Sequence, residues 1–295
     1  MKLLAVLILF ILAPFGASAQ NYQGLWWDPA ESGWGINVTH QGDVLFATWF
    51  TYDANGNGQW LVMPHAELQP MMMGDMMDMQ DMMDMMPGMM VSPPMYTGTL
   101  YRTSGPAFDA ASFDPMAVTT TAAGYGTLTF SDADNGSFEY VLDGIFGAKE
   151  ITREAFAAMP TCDFFSAPGT TNFQDLWWRT GGTESGWGLN VAQEGDVIFA
   201  TWFTYDENGK GLWLVMPDTT KVGDMTYAGG IYRTTGPAFN ASPWNGAAVA
   251  ATQVGTATLQ FSDASNGTFT AKVGEATIVK PISRQVYATP ASACR

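Results

Sequence analysis

Thirteen methionines fall within 25 residues: Met71, Met72, Met73, Met76, Met77, Met79, Met82, Met83, Met85, Met86, Met89, Met90 and Met95, with Asp75, Asp78, Asp81 and Asp84 at intervals of three. Thioether sulfur is a soft ligand that suits copper(I). It neither titrates nor forms disulfides, so it stays available in an oxidising compartment where free thiols would not. At about three thioethers per ion, the run holds roughly four ions at most. The aspartates would keep the strip hydrated, raise the local cation concentration and offer hard oxygens to copper(II) before its reduction. An aspartate at every third residue leaves no continuous apolar face, which argues against a buried core segment. Three other readings fit the same residues: low-complexity drift, a methionine-rich sticky surface for a partner, and a sacrificial target for oxidants.

The remaining chemistry-bearing residues are sparse. Ten of the eleven tryptophans occur as matched pairs, Trp26, Trp27, Trp34, Trp49 and Trp60 with Trp177, Trp178, Trp187, Trp202 and Trp213. They suit either a barrel core or an aromatic platform for a sugar or other flat ligand, with Trp27, Trp34, Trp178 and Trp187 as the platform candidates. The stretch Asp53-Ala54-Asn55-Gly56-Asn57 looks like the start of a calcium loop but lacks the later glutamate, which favours a hairpin turn. Arg102, Arg233, Arg153, Arg284, Lys149 and Lys280 recur in strand-like contexts and are expected to close ion pairs. The two histidines, His40 and His65, are replaced by Gln193 and Asp218 in matching positions, so neither belongs to a shared site. There is no nucleophile elbow, P-loop, HExxH or paired-cysteine motif, so the expectation is a binding protein and not an enzyme. Cys162 and Cys294 stand at equivalent places after each copy's last strand, which predicts one disulfide.

These residues ride on a module written twice. Glu31-Ser32-Gly33-Trp34-Gly35 returns as Glu184 to Gly188, Phe46 to Asp53 returns unchanged as Phe199 to Asp206, and Trp60 to Pro64 returns as Trp213 to Pro217, all at an offset of 153. Farther on the offset is 131: Tyr101-Arg102-Thr103 and Gly105-Pro106-Ala107-Phe108 match Tyr232-Arg233-Thr234 and Gly236-Pro237-Ala238-Phe239. The first copy therefore carries 22 extra residues between Pro64 and Tyr101, and they are the methionine run. A segment missing from one copy is not needed for the module to fold. Within each copy, apolar and small polar residues alternate in short runs closed by Gly or Asn-Gly, as strands in hairpins do. Val44, Phe46, Thr48, Phe50 and Tyr52 should share one strand face, and Leu45, Ala47, Trp49 and Thr51 the other. The expected fold is all-β: two tandem antiparallel modules of about seven or eight strands each, as up-and-down barrels or sandwiches, with a methionine-rich loop inserted in the first.

The N-terminus has Lys2, an apolar stretch to about Phe15 and Ala17-Ser18-Ala19, the layout of a cleaved signal peptide. Residues 1–19 are read as that signal, 20–158 as module one with the insertion near 65–95, 159–174 as a linker, and 175–295 as module two. Removing the signal takes the formal charge from −16 to −17, since it holds one lysine and no acid. Nucleic acid and anionic lipid are poor partners for such a chain, and no membrane span is expected. The methionine segment resembles the methionine- and aspartate-rich stretches of bacterial periplasmic copper-resistance proteins, which implies a bound copper ion. It departs from them in lacking histidine, the nearest being His65. The modules, with SGWG, FATWFTYD and a closing Gly-Thr-Leu-Thr-Phe strand, resemble repeats of exported proteobacterial proteins, which implies export and β structure without a specific activity. The expected protein is thus periplasmic or secreted and binds copper(I); the alternative is a pair of modules that bind a glycan or another exported protein through the tryptophans.

Overall fold

The computed structural model describes residues 20–70 and 92–295. The expected signal peptide and all of the methionine run except Met95 lie outside the described residues.

Alternating sequence becomes two closed eight-stranded barrels, each a simple antiparallel meander. The first is formed by β1 (Gly24–Trp27), β2 (Gly35–Gln41), β3 (Val44–Tyr52), β4 (Gly58–Leu68), β5 (Met95–Ser104), β6 (Thr119–Phe130), β7 (Asn135–Leu142) and β8 (Ile145–Arg153). A short strand, β9 (Cys162–Asp163), follows in the segment expected as linker. The second barrel is β10 (Asp175–Arg179), β11 (Gly188–Glu194), β12 (Val197–Tyr205), β13 (Gly211–Gly223), β14 (Thr226–Thr235), β15 (Ala250–Phe261), β16 (Asn266–Val273) and β17 (Ala276–Arg284), after which β18 (Ala293–Cys294) pairs with β9. Barrels, not sandwiches, result because β1 pairs with β8 and β10 with β17, leaving no free sheet edge. Turn chemistry sets the hairpins: between β7 and β8, Asp143 and Gly144 both take positive φ, 52° and 80°, the pattern of a type I′ turn. Between β3 and β4, the Asp53 carboxylate accepts the N–H groups of Asn55 and Asn57 at 2.8 and 2.9 Å, and Asp206 repeats this with Asn208 and Lys210. The apparent calcium loop is therefore a capped turn in both copies.

The barrel interiors are filled by side chains, as an eight-stranded barrel allows. In the first, Tyr22 stacks on Phe130 at 3.9 Å, Trp26 lies 4.8 Å from Phe130, and Trp49 meets Phe138 edge-on at 5.2 Å. Leu45, Ala47 and Trp49 point into this core. The opposite face of β3, with Phe46, Phe50 and Tyr52, is buried too, because it packs with Trp60 and Val62 against Phe203, Tyr205, Trp213 and Val215 of the second barrel.

The two modules meet about a pseudo-twofold axis, so the main contacts occur twice. Trp60 Nε1–H donates to the Thr204 carbonyl at 2.9 Å, and Trp213 to that of Thr51 at 3.1 Å. The loops after β5 and β14, residues 105–118 and 236–249, each cross to the other module. The Phe108 N–H donates to the Tyr205 carbonyl and the Phe239 N–H to that of Tyr52, both at 3.0 Å. Their rings reach the opposite barrel core, Phe108 at 5.4 Å from Trp202 and Phe239 at 6.1 Å from both Trp49 and Tyr140. The predicted disulfide between Cys162 and Cys294 is present and fastens β9 to β18.

His40 exemplifies how the copies diverge under the same scaffold. It is buried, accepts the Tyr22 N–H on Nδ1 at 3.2 Å and lies 3.3 Å from the Tyr96 hydroxyl through Nε2, while Gln193 accepts the Phe173 N–H and contacts Tyr227 in the same way. Burial first, and the Arg153 charge as well, push its pKa down to about 4. A folded pKa below the unfolded value means that the unfolded chain takes up the proton first. This contribution to stability is complete above about pH 6.5 and is lost as pH falls towards 4, amounting to about 3 kcal/mol. Denaturant midpoints of wild type and His40→Gln between pH 7 and pH 4 should therefore diverge, with the variant losing less. Parallel pH profiles would show that the ring is not strained by protonation.

Candidate functional site

The insertion has a defined place: the tip of the β4–β5 hairpin. In the second barrel the matching tip is closed by Asp224 and Met225 alone, between Gly223 and its partner Thr226. In the first, Glu67 pairs with Thr97 and Leu68 with Tyr96, and the Gln69 N–H still donates to the Met95 carbonyl at 2.7 Å. The stem is therefore zipped before the extra residues begin. Met95 is exposed on β5, paired with Thr129. His65 is exposed on β4, with Nε2 at 2.9 Å from the Glu67 carboxylate, so one thioether and one imidazole flank the stem. The other candidate ligands, Met71 to Met90 with Asp75, Asp78, Asp81 and Asp84, lie outside the described residues. Among the described residues no three His, Cys, Asp or Glu side chains come together as a metal site.

The shared tryptophans divide by location. Trp26, Trp49, Trp177 and Trp202 fill the barrel cores, and Trp60 and Trp213 bridge the modules. Trp34 and Trp187 are also buried, each donating its indole N–H to a glutamate, Glu31 or Glu184, at 3.1 Å. That glutamate pairs with Lys149 at 2.5 Å or Lys280 at 2.6 Å, and the Lys149 ammonium sits 4.8 Å over the Trp34 ring. An exposed aromatic platform is thus left with Trp27 and Trp178, both half-buried. The first glycine of SGWG has its own reason: Gly33 and Gly186 have φ of 111° and 122°, and an added Cβ would strike Val249 or Val118 of the crossing loop. In both copies the SGWG motif is therefore an inter-module contact.

The recurring cations are mostly paired. Arg102 forms a bidentate pair with Asp143, Arg153 meets Asp134 at 3.2 Å, and Arg284 is bound to Asp175 at 2.8 Å with both side chains buried. Arg153 and Arg284 also cover the Trp26 and Trp177 rings at 4.8 and 5.0 Å. Sequence inspection missed the concave regions between the docked modules, two of which are lined by three or more charged side chains. One is a groove of about 760 Å³ between the modules, where Arg102, Arg233 and Lys210 face Asp53 and Asp206. The other is a smaller cavity of about 240 Å³ beside Gly24 and Arg153. Only the apolar composition of both faces of β3 signalled that something must cover the barrel wall. No helix among the described residues is long and apolar enough to cross a membrane. Searches with family models, against curated proteins and against solved structures found no match to the chain.

Proposed function

We propose that this is an exported copper(I)-binding protein, in which two docked β-barrels display the Met71–Met95 segment for capture or buffering of the ion. The observation that supports it most is the zipped stem: Leu68 pairs with Tyr96 and Gln69 with Met95, while the second barrel closes the same hairpin with two residues. The barrel needs nothing from the inserted thioethers, which leaves their soft-ligand chemistry free for a metal. The exposed Met95 and His65 at the stem extend that donor set. The Cys162–Cys294 disulfide fits a periplasmic or secreted setting, where thioethers outlast thiols as copper ligands.

Titration of copper(I) against a competing chromophoric chelator tests this. Wild type should withdraw up to roughly four ions per chain, and a variant with residues 70–94 replaced by an Asp-Gly turn should withdraw none while unfolding at an unchanged denaturant midpoint. Equal copper uptake by the two proteins ends the proposal.

A further inference from the structure

The two barrels close in the same way but differ in which carboxylate meets the closing arginine. In the second, Arg284 donates to the carbonyls of Asn172, Gln174 and Ala264, and through Nη1 also to the buried Asp175 carboxylate at 2.8 Å. In the first, Arg153 makes the corresponding bonds to the carbonyls of Asn21, Gln23 and Ala133. The residue matching Asp175, however, is Gly24. A Cβ built on Gly24 would lie 2.9 Å from Arg153 Nη1, so the guanidinium packs against bare backbone here, and both residues line the 240 Å³ cavity. Asp134 pairs with Arg153 from the Nε side.

The cavity lining also carries the reverse charge. Glu154, and Glu194 from module two, line the cavity; Glu194 is buried and accepts the N–H groups of Phe156 and Ala157 on one oxygen at 2.8 and 2.5 Å. Their pseudo-symmetric counterparts are the neutral Gln41 and Gln285. There Gln41 accepts the Tyr287 and Ala288 N–H groups and donates to the Gln285 carbonyl, and Gly42 packs on Thr289. Burial, and then the nearby Glu194 charge, raise the pKa of Glu154. Leu25, Phe156 and Ala192 add apolar lining.

We propose that this inter-module cavity binds a small zwitterion, a free α-amino acid with a short apolar side chain. Its carboxylate takes on Arg153 the place that Asp175 takes on Arg284, and its ammonium meets Glu154 and Glu194. Charge-assisted bonds at both ends select for a molecule bearing both charges, and the volume, below the usual range for drug-sized ligands, selects for a small one. The site is independent of the copper segment.

Calorimetric titration of the protein with L-alanine, acetate and ethylammonium tests the assignment. L-alanine should bind saturably, one per chain, with acetate and ethylammonium each weaker by about tenfold or more. Glu154→Gln and Glu194→Gln, which install the residues of the matching site, should each weaken L-alanine by about tenfold or more. Gly24→Asp, which supplies the missing carboxylate from the chain itself, should abolish binding; because Gly24 has φ of 153°, the two glutamine variants carry the test if that variant does not fold. Absence of saturable L-alanine binding, acetate binding as tight as L-alanine, or unchanged affinity in both glutamine variants overturns the proposal.

Discussion

Phe239→Ala is expected to destabilise the first barrel by about 3–5 kcal/mol, although the residue belongs to the second module. The Phe239 ring is buried in the first core, edge-on to Trp49 and Tyr140, and the Tyr140 hydroxyl donates to the Phe239 carbonyl at 3.2 Å. Truncation leaves the backbone bond to Tyr52 in place but opens a void among rigid aromatic neighbours that have little room to collapse. Native-state hydrogen exchange provides the reading: amides of β3 and β7 should lose protection before those of β12 and β16. Loss confined to the second barrel would contradict the exchange of loops. Phe108→Ala should give the mirror result, with the second barrel opening first, since Phe108 meets Trp202 at 5.4 Å.

Asp175→Asn should cost about 3–5 kcal/mol, because it strands the buried Arg284 charge without its counter-ion. Both side chains are nearly inaccessible, at 4% and 5% of their surface, so water cannot replace the lost carboxylate. The first module tolerates a glycine at this place because Asp134 supplies a carboxylate to Arg153 from the neighbouring turn; the counterpart of Asp134 is Ser265. Adding Ser265→Asp to Asp175→Asn should therefore recover part of the loss. Denaturant midpoints of the two single variants and the double variant measure the coupling. Strict additivity would mean that the two carboxylate positions do not substitute for one another.

Much of the fold was legible because its signals are local. The repeat, the hairpin turn from Asp53 to Asn57, the point of insertion and the end-to-end cysteines all follow from pattern within the chain. The alternation in β3 correctly grouped Leu45, Ala47 and Trp49 apart from Phe46, Phe50 and Tyr52. It did not show that one group lines a barrel and the other a module interface, since both are apolar and a closed barrel satisfies the same pattern as a sandwich. The destination of the two Gly-Pro-Ala-Phe loops was illegible for a sharper reason: similar loops fit similar barrels, so sequence cannot distinguish a loop that caps its own module from one that caps the other. The role of Trp34 and Trp187 was hidden because Glu31 and Lys149, far apart in the chain, had to be brought together by the closure of the barrel before the indoles were seen to be held. The cavity at Gly24 arises from one glycine set against one aspartate, a difference that carries meaning only after the two arginines are superimposed in space.

The exchange of loops also governs how damage spreads. A cut within residues 105–118 or 236–249 uncorks the neighbouring barrel as well as disrupting the one whose chain was severed. Neither barrel keeps a complete core once its neighbour's loop is cut, so a protease has no intact half to leave behind. The molecule is therefore kept or discarded whole.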